Sequence, residues 1–460
     1  MAKLKSNYVC SECGGQTPRW LGRCPSCSAW SSLVEERSES SDTRSRPTAR
    51  NVAPGRVIAL ADVEMESTGR IKTGIPEFDR VLGGGLVPGS LVLLGGEPGV
   101  GKSSLTAAML SNLGADHDVL LVSGEESPAQ VRLRAERLGA MKGVGILAET
   151  ELAVVCSTIE AVKPSVCVID SIQTVWAEEL GSAPGSVAQV RESAGRLLRL
   201  AKSQGVAIVL VGHVTKDGTV AGPRVLEHLV DVTLMFEGEP LHALRVLRAQ
   251  KNRFGATDEV GLFEMTSRGL QSVDDASRLH DGSDLDRPGA CALVAIEGTR
   301  PLVLDVQALV SDSDLVMPRR LASGFDRNRL SLILAVLSRH ANIGLGKQDV
   351  FINVAGGVRV DEPAADLAVA LALASATCGV ALGPVCAFGE IALTGRLRPV
   401  PQSERRLSEA ARLGLTSGIV PTGTTKGALQ VSEVGTLAEA MEICGFRAPA
   451  REAEFDVTPF

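Results

Sequence analysis

An α/β fold in three parts is predicted by three observations. Two Cys-x-x-Cys pairs lie near the N-terminus, a glycine-rich loop joins an apolar strand to a helix, and strand and helix patterns resume after a polar break near residue 280. The 460 residues exceed what one core usually fills, which agrees with several domains. With 44% apolar and 22% charged residues the chain can pack a core. Its apolar runs fall short of the roughly 20 residues that cross a bilayer. The start Met-Ala-Lys-Leu-Lys lacks the hydrophobic region of a secretory signal. A cytoplasmic protein with no membrane partner is expected.

The first part, residues 1–34, carries Cys10-x-x-Cys13 and Cys24-x-x-Cys27. Each pair closes a tight turn that can present two sulfurs to one tetrahedral ion, and four thiolates with no open position indicate structural Zn²⁺. Gly14, Gly22 and Pro25 supply the turn chemistry of a zinc ribbon. A redox pair is the alternative for either motif alone, and the closeness of the two argues against it. So small a module lacks a sufficient apolar core, so metal binding would contribute most of its folding energy. Lys3, Lys5, Arg19 and Arg23 outnumber Glu12 through residue 33, and Trp20 and Trp30 lie among them. Two readings stay open: nucleic-acid contact, or an indole of Trp20 covering the metal site amid solvated charges. The other cysteines, Cys156, Cys167, Cys291, Cys378, Cys386 and Cys444, stand singly in apolar segments and are expected in the core.

Residues 35–66 are polar and rich in Ser and Arg, the composition of a flexible linker. From 67 to 275, strand-like runs at Leu91 to Gly95, Val119 to Ser123, Val166 to Asp170 and Val206 to Gly212 alternate with helical patterns. Such alternation predicts a mostly parallel sheet with helices on both faces.

Gly96-Glu97-Pro98-Gly99-Val100-Gly101-Lys102-Ser103 is a complete phosphate-binding loop. Its glycines let backbone N–H groups converge on phosphate, and the next helix adds its N-terminal dipole. Lys102 is expected to reach the β- and γ-phosphates of ATP, and Ser103 to bind Mg²⁺, with Ser104 a lesser candidate. Asp170 ends an apolar strand at the sheet's C-terminal edge and is the second magnesium candidate. Glu125, in Val122-Ser123-Gly124-Glu125-Glu126, ends the strand after the loop's helix and is preferred as the group that orients or deprotonates water. Glu126 suits a first-turn charge on a helix starting near Pro128. His213 ends the strand from Val206 and is either structural or a γ-phosphate sensor, and Thr215 to Gly222 resembles a loop facing a ligand. Lys251 and Arg253, in Lys251-Asn252-Arg253-Phe254-Gly255, point the same way if extended and could clamp phosphate.

A polar stretch, Asp274 to Pro288, precedes the third part, residues 286–460. Strands are expected near Cys291 to Ile296 and Pro301 to Val310, and helices near Arg329 to His340 and Ala364 to Cys378. Arg319, Arg320, Arg327 and Arg329 form a basic run with two readings, DNA contact or solvated surface. A formal charge of -7 gives no overall attraction to nucleic acid, so binding must use local basic surface.

Taken in order, the four-cysteine finger, Gly-Glu-Pro-Gly-Val-Gly-Lys-Ser, Lys-Asn-Arg-Phe-Gly and the C-terminal region resemble the bacterial RadA (Sms) family of DNA repair and recombination proteins along essentially the whole chain. The resemblance implies a RecA-like ATPase related to RecA and the DnaB helicase. It implies a homo-hexameric ring that binds single-stranded DNA and drives branch migration of recombination intermediates, with a recombinase or replicative helicase as a possible partner. It also implies that Lys251 and Arg253 reach the nucleotide of a neighbouring subunit and couple it to DNA. The C-terminal region is similar to the Lon proteolytic domain, an α+β fold, but has Ala364 where Lon has its serine and Glu404 where Lon has its lysine. Neither side chain performs that chemistry, so a non-proteolytic scaffold is expected. The rival functions are a nucleotide-gated adaptor that loads a helicase and, less favoured, an ATP-dependent peptidase.

Overall fold

Backbone pairing in the N-terminal module joins β1 (Ser6–Cys10), β2 (Gln16–Thr17) and β3 (Leu33–Arg37) into an antiparallel sheet of order β2-β1-β3. The computed structural model describes residues 6–10, 16–25, 28, 30, 32–37, 69–138, 143–213, 226–238, 244–266, 269–273, 280, 282–425 and 427–446. Cys10 and Cys24, one from each predicted ligand pair, are buried together with Leu33 against Tyr8. Convergence of the two turns fits one shared ion. Cys13 and Cys27 lie outside the described residues, as do residues 38–66 of the expected linker, residues 67 and 68, and the loop from 215 to 222. No group of three or more metal-binding side chains occurs among the described residues.

The chain divides into two compact units, residues 1–240 with 245–272, and residues 241–244 with 273–460. In the first unit α1 (Pro76–Leu82) precedes β4 (Leu91–Gly96), which leads into α2 (Lys102–Leu113). There follow β5 (Val119–Ser123), α3 (Pro128–Leu138), β6 (Val144–Leu147), α4 (Leu152–Val162), β7 (Val166–Asp170), α5 (Val187–Gln204) and β8 (Ala207–His213). The last strands are β9 (Val232–Glu237), β10 (Leu244–Asn252), β11 (Val260–Thr266) and β12 (Gly269–Ser272). Sheet order is β12-β11-β10-β9-β4-β8-β7-β5-β6. The six strands from β9 to β6 pair in parallel, and β10 turns antiparallel to β9.

Burial on both faces explains why the central strands read as continuous apolar runs. Successive side chains of β4 alternate: Val92 and Leu94 pack with α1, α2 and α3, whereas Leu91 and Leu93 pack with α4 and α5.

In the second unit β13 (Ala290–Glu297) and β14 (Arg300–Asp312) form a long antiparallel pair, followed by β15 (Arg320–Ser323), α6 (Arg327–His340) and β16 (Gln348–Val354). Then come α7 (Ala365–Cys378), β17 (Val385–Ala387), β18 (Glu390–Ile391), β19 (Leu397–Arg398), α8 (Ser403–Arg412), β20 (Ser417–Pro421), β21 (Gln430–Val434) and α9 (Leu437–Ile443). The mixed sheet has the order β15-β16-β14-β13-β17-β20-β21. Residues 365–375 of α7 are all buried, because an Ala-rich helix apolar all round packs closely on every side.

Two expectations need correcting. Of the scattered cysteines, Cys167, Cys291 and Cys386 are buried, but Cys156, Cys378 and Cys444 are only partly so. Burial still pushes the Cys386 and Cys444 thiols up to about 12, which makes them poor nucleophiles. Arg329 is not part of a free basic surface. Its guanidinium grips the fully buried Asp366 with both Nε, at 2.7 Å, and Nη2. That pair anchors the first turn of α7 to α6.

Candidate nucleotide site

The loop from Gly96 to Gly101 takes its shape from two glycines. A β carbon at Gly96 would lie 2.5 Å from the Phe236 carbonyl oxygen, so only hydrogen fits. Gly101 caps α2 at φ 115°, a left-handed conformation that other residues rarely adopt. Glu97, Pro98, Gly99 and Val100 lie between the two glycines, and the Val100 N–H donates to the Glu97 carbonyl at 3.3 Å. Lys102, only 4% exposed, donates from Nζ to the carbonyls of Gly96 at 2.8 Å and Glu97 at 2.9 Å. Burial lowers its pKa, while Asp170 and Glu125 draw it back up. Ser103 and Ser104 follow in the first turn of α2.

Sheet register brings the other predicted groups to the same edge. Gly96 lies beside His213, and Ser123 and Asp170 lie beside each other two strands away. Glu125 follows Ser123 by two residues. Its Oε1 accepts a 2.6 Å hydrogen bond from Ser171 Oγ and lies 3.3 Å from His213 Nε2. A β carbon at Gly124 would collide with Thr174 Oγ1, so this close approach of β5 to the segment after β7 requires glycine. Glu126 instead pairs with Arg134 at 2.7 Å, which ties it to α3. The site thus gathers a buried cation, two carboxylates and an imidazole around a loop rich in N–H donors. Such a set can hold a polyphosphate and its metal ion and can orient a water molecule.

Sequence reading missed Ser171 and Gln173. Gln173 Nε2 donates to the His213 carbonyl at 3.3 Å, and neither Gln173 Oε1 nor His213 Nδ1 has a partner among the described residues. The available signal was position alone, since both residues lie within three of Asp170.

Lys251 and Arg253 are not brought to this edge. Lys251 Nζ donates to the carbonyls of Glu227 at 2.6 Å and Val230 at 2.8 Å, and Arg253 pairs with Asp231 at 3.0 Å. Burial, then the Arg253 charge, lowers the Lys251 pKa. Asp231 is buried and accepts from the Leu91 N–H, at the opposite end of β4 from the loop. Both cations engage residues 227–231.

In the second unit Arg319 and Arg327 are exposed, while Arg320 is bound to the carbonyls of Arg319, Gln348 and Leu345. Ala364 is buried and its carbonyl accepts from the Gly389 N–H, whereas Glu404 is exposed on α8. Arg406, two residues further along α8, is buried in a paired bridge to Glu362 at 2.7 and 2.8 Å. No nucleophile stands at position 364.

Comparison with known families gives three matches along the chain. Residues 8–35 match the rubredoxin metal binding domain, residues 58–219 an AAA domain, and residues 335–444 the Lon protease (S16) C-terminal proteolytic domain. The DNA repair protein RadA of Brucella abortus is 48% identical over 92% of this chain and 93% of its own length. That of Bacillus subtilis is 43% identical over 96% of this chain and 99% of its own. That of Pseudomonas aeruginosa is 47% identical with the same coverage. Identity at this level across more than nine-tenths of its length shows that the chain belongs to the RadA family of DNA repair proteins, with a RecA-like ATPase core between a zinc ribbon and a Lon-like domain.

Proposed function

We propose that this RadA-family ATPase is a DNA-dependent motor of homologous recombination and repair. It binds single-stranded DNA, drives branch migration of recombination intermediates and works as a hexameric ring. The observation that carries the reading is the division of charged groups between the two edges of one sheet. Lys102, Glu125, Asp170 and His213 gather around the loop, while Lys251 and Arg253 stand at the far edge of the same sheet. Groups so separated act on one nucleotide only when neighbouring subunits share it.

In this reading the backbone N–H groups of residues 99–104 and the Lys102 ammonium hold the β- and γ-phosphates of ATP. Ser103 and Asp170 would hold Mg²⁺, which would supply positive charge to offset that of the phosphates. Glu125 orients the attacking water, and Ser171 fixes its carboxylate. His213 senses the γ-phosphate through its contact with Glu125. Arg319 and Arg327, exposed in the Lon-like unit, are the remaining DNA-contact candidates there, with Arg320 a lesser one. Ala364 supplies no nucleophile for peptide hydrolysis.

The deciding experiment measures ATP hydrolysis with and without single-stranded DNA, together with branch migration on a three-strand intermediate. Hydrolysis that rises with DNA, with migration that needs ATP, is the expected result. Hydrolysis indifferent to DNA defeats the reading. DNA-stimulated hydrolysis without migration favours the helicase-loading adaptor.

Two further outcomes test the assignments. Glu125→Gln is expected to lower kcat by about 10²- to 10⁴-fold, the usual contribution of a positioned proton-transfer group. Ser171→Ala is expected to lower it by about tenfold, from the ~1.5 kcal/mol of a hydrogen bond to a charged group. Steady-state kinetics with saturating ATP separates the two, and equal rates in Glu125→Gln and parent would remove Glu125 from the chemistry. In the ribbon, Cys24→Ser is expected to release Zn²⁺ and unfold the module, with nucleotide binding retained. Metal analysis by atomic emission checks this, and unchanged zinc content would refute the four-cysteine site.

A further inference from the structure

We propose that Trp20 and Trp30 of the ribbon form a stacking site for the bases of single-stranded nucleic acid, with Arg19 and Arg23 meeting its phosphates. The proposal rests on the single-stranded DNA reading above and assigns part of that binding to the ribbon. Trp20 is 57% exposed and Trp30 74%. The third tryptophan, Trp176, is half-buried and donates its indole N–H to Thr150. Two large apolar rings are thus left largely in water on so small a module.

The two indoles approach each other at Gly22. A β carbon at Gly22 would lie 3.9 Å from Trp30 Cζ3 and 4.0 Å from Trp20 Cη2. Both indoles thus reach one point that is free only because residue 22 has no side chain. Arg23 and Trp30 are joined by a backbone bridge, and the guanidinium carbon lies 5.8 Å from the centre of the Trp30 ring. Arg23 Nε also donates to the Ser28 carbonyl at 2.9 Å, which holds the cation over one ring face. The high exposure of Trp30 leaves surface for a base.

Charge selects the ligand. Through residue 37 the sequence carries Lys3, Lys5, Arg19, Arg23 and Arg37 against Glu12, Glu35 and Glu36, a net positive balance. Exposed aromatics beside the fixed Arg23 guanidinium suit a polyanion that carries its own aromatic faces, and stacking of this kind tolerates any base.

The test uses the full zinc-loaded chain in a Trp176→Phe background, so that emission comes from Trp20 and Trp30. Oligothymidylate and an abasic oligonucleotide of equal length are titrated separately. The expected result is quenching by oligothymidylate and little by the abasic strand. Trp20→Ala and Trp30→Ala should each weaken the quenching interaction by roughly fivefold to a hundredfold, the usual effect of losing one stacked base. Gly22→Leu should weaken it by filling the gap, and Trp30→Phe should keep most of it. Zinc content equal to the parent shows that each variant is folded. Equal quenching by both strands, or parental affinity in the zinc-loaded Ala variants, overturns the proposal. Absence of quenching by either strand also overturns it and leaves the surface to a protein partner. Stimulation of hydrolysis by single-stranded DNA is measured in parallel. Stimulation without quenching sinks only the stacking site, whereas loss of both sinks the DNA-dependent reading as well.

Discussion

Replacing Lys102 with alanine is expected to lower ATP hydrolysis by about a thousandfold or more, the upper range for removing one preorganised charge-stabilising donor. The ammonium is almost fully buried and bonded to the Gly96 and Glu97 carbonyls. Burial has already removed much of its hydration, which is why its pKa falls despite the neighbouring Asp170 and Glu125. A bound phosphate therefore meets a cation that needs little further desolvation, and it gains the full benefit of the charge as the transition state forms. Alanine leaves the loop with its N–H groups and no cation. The fold should survive, because Leu105, Met109, Leu110 and Leu113 still anchor α2 to the sheet. Initial rates at saturating ATP, read beside a thermal melt, check both halves of this expectation. A rate within tenfold of the parent would show that the loop is not where hydrolysis occurs.

The reach of the sequence differs sharply between groups on one strand end and groups joined across space. Gly96 to Ser103, Asp170, Glu125 and His213 were legible because each terminates an apolar run, and in a parallel sheet all such ends share one edge. The choice of Glu125 over Glu126 agrees with the ion pair that draws Glu126 to Arg134. Ser171 and Asp231 were not legible as partners. Ser171 is 46 residues from Glu125, and Asp231 is 22 from Arg253, so only folding brings each pair together. Arg329 misled for the same reason. A run of arginines looks like solvated surface until a buried carboxylate 37 residues away, Asp366, takes one of them. The antiparallel strands β11 and β12 also escaped the alternating strand and helix pattern, since no helix separates them.

Arg253→Ala is expected to lower hydrolysis by roughly 10³- to 10⁵-fold, the range for an arginine supplied to a neighbour's phosphates. Asp231 holds Arg253 at the start of β4, and the phosphate loop begins at its other end. Six residues of strand separate those ends by roughly 17 Å at about 3.3 Å per residue, farther than an arginine side chain anchored at the first end extends. If Arg253 acts in hydrolysis, it acts on another subunit's nucleotide. Mixing then becomes diagnostic. Lys102→Ala subunits keep a working Arg253, and Arg253→Ala subunits keep a working loop, although each alone is inactive. In a randomly mixed ring with head-to-tail contacts, about a quarter of the interfaces combine the two intact halves, so an equimolar mixture should recover about that share of the parental rate. Stability is not expected to confound the result, because Asp231 keeps its bond from the Leu91 N–H and has Lys202 at 3.9 Å. A mixture no more active than its components would mean that Arg253 serves its own subunit's structure, and the shared nucleotide site would fall with it.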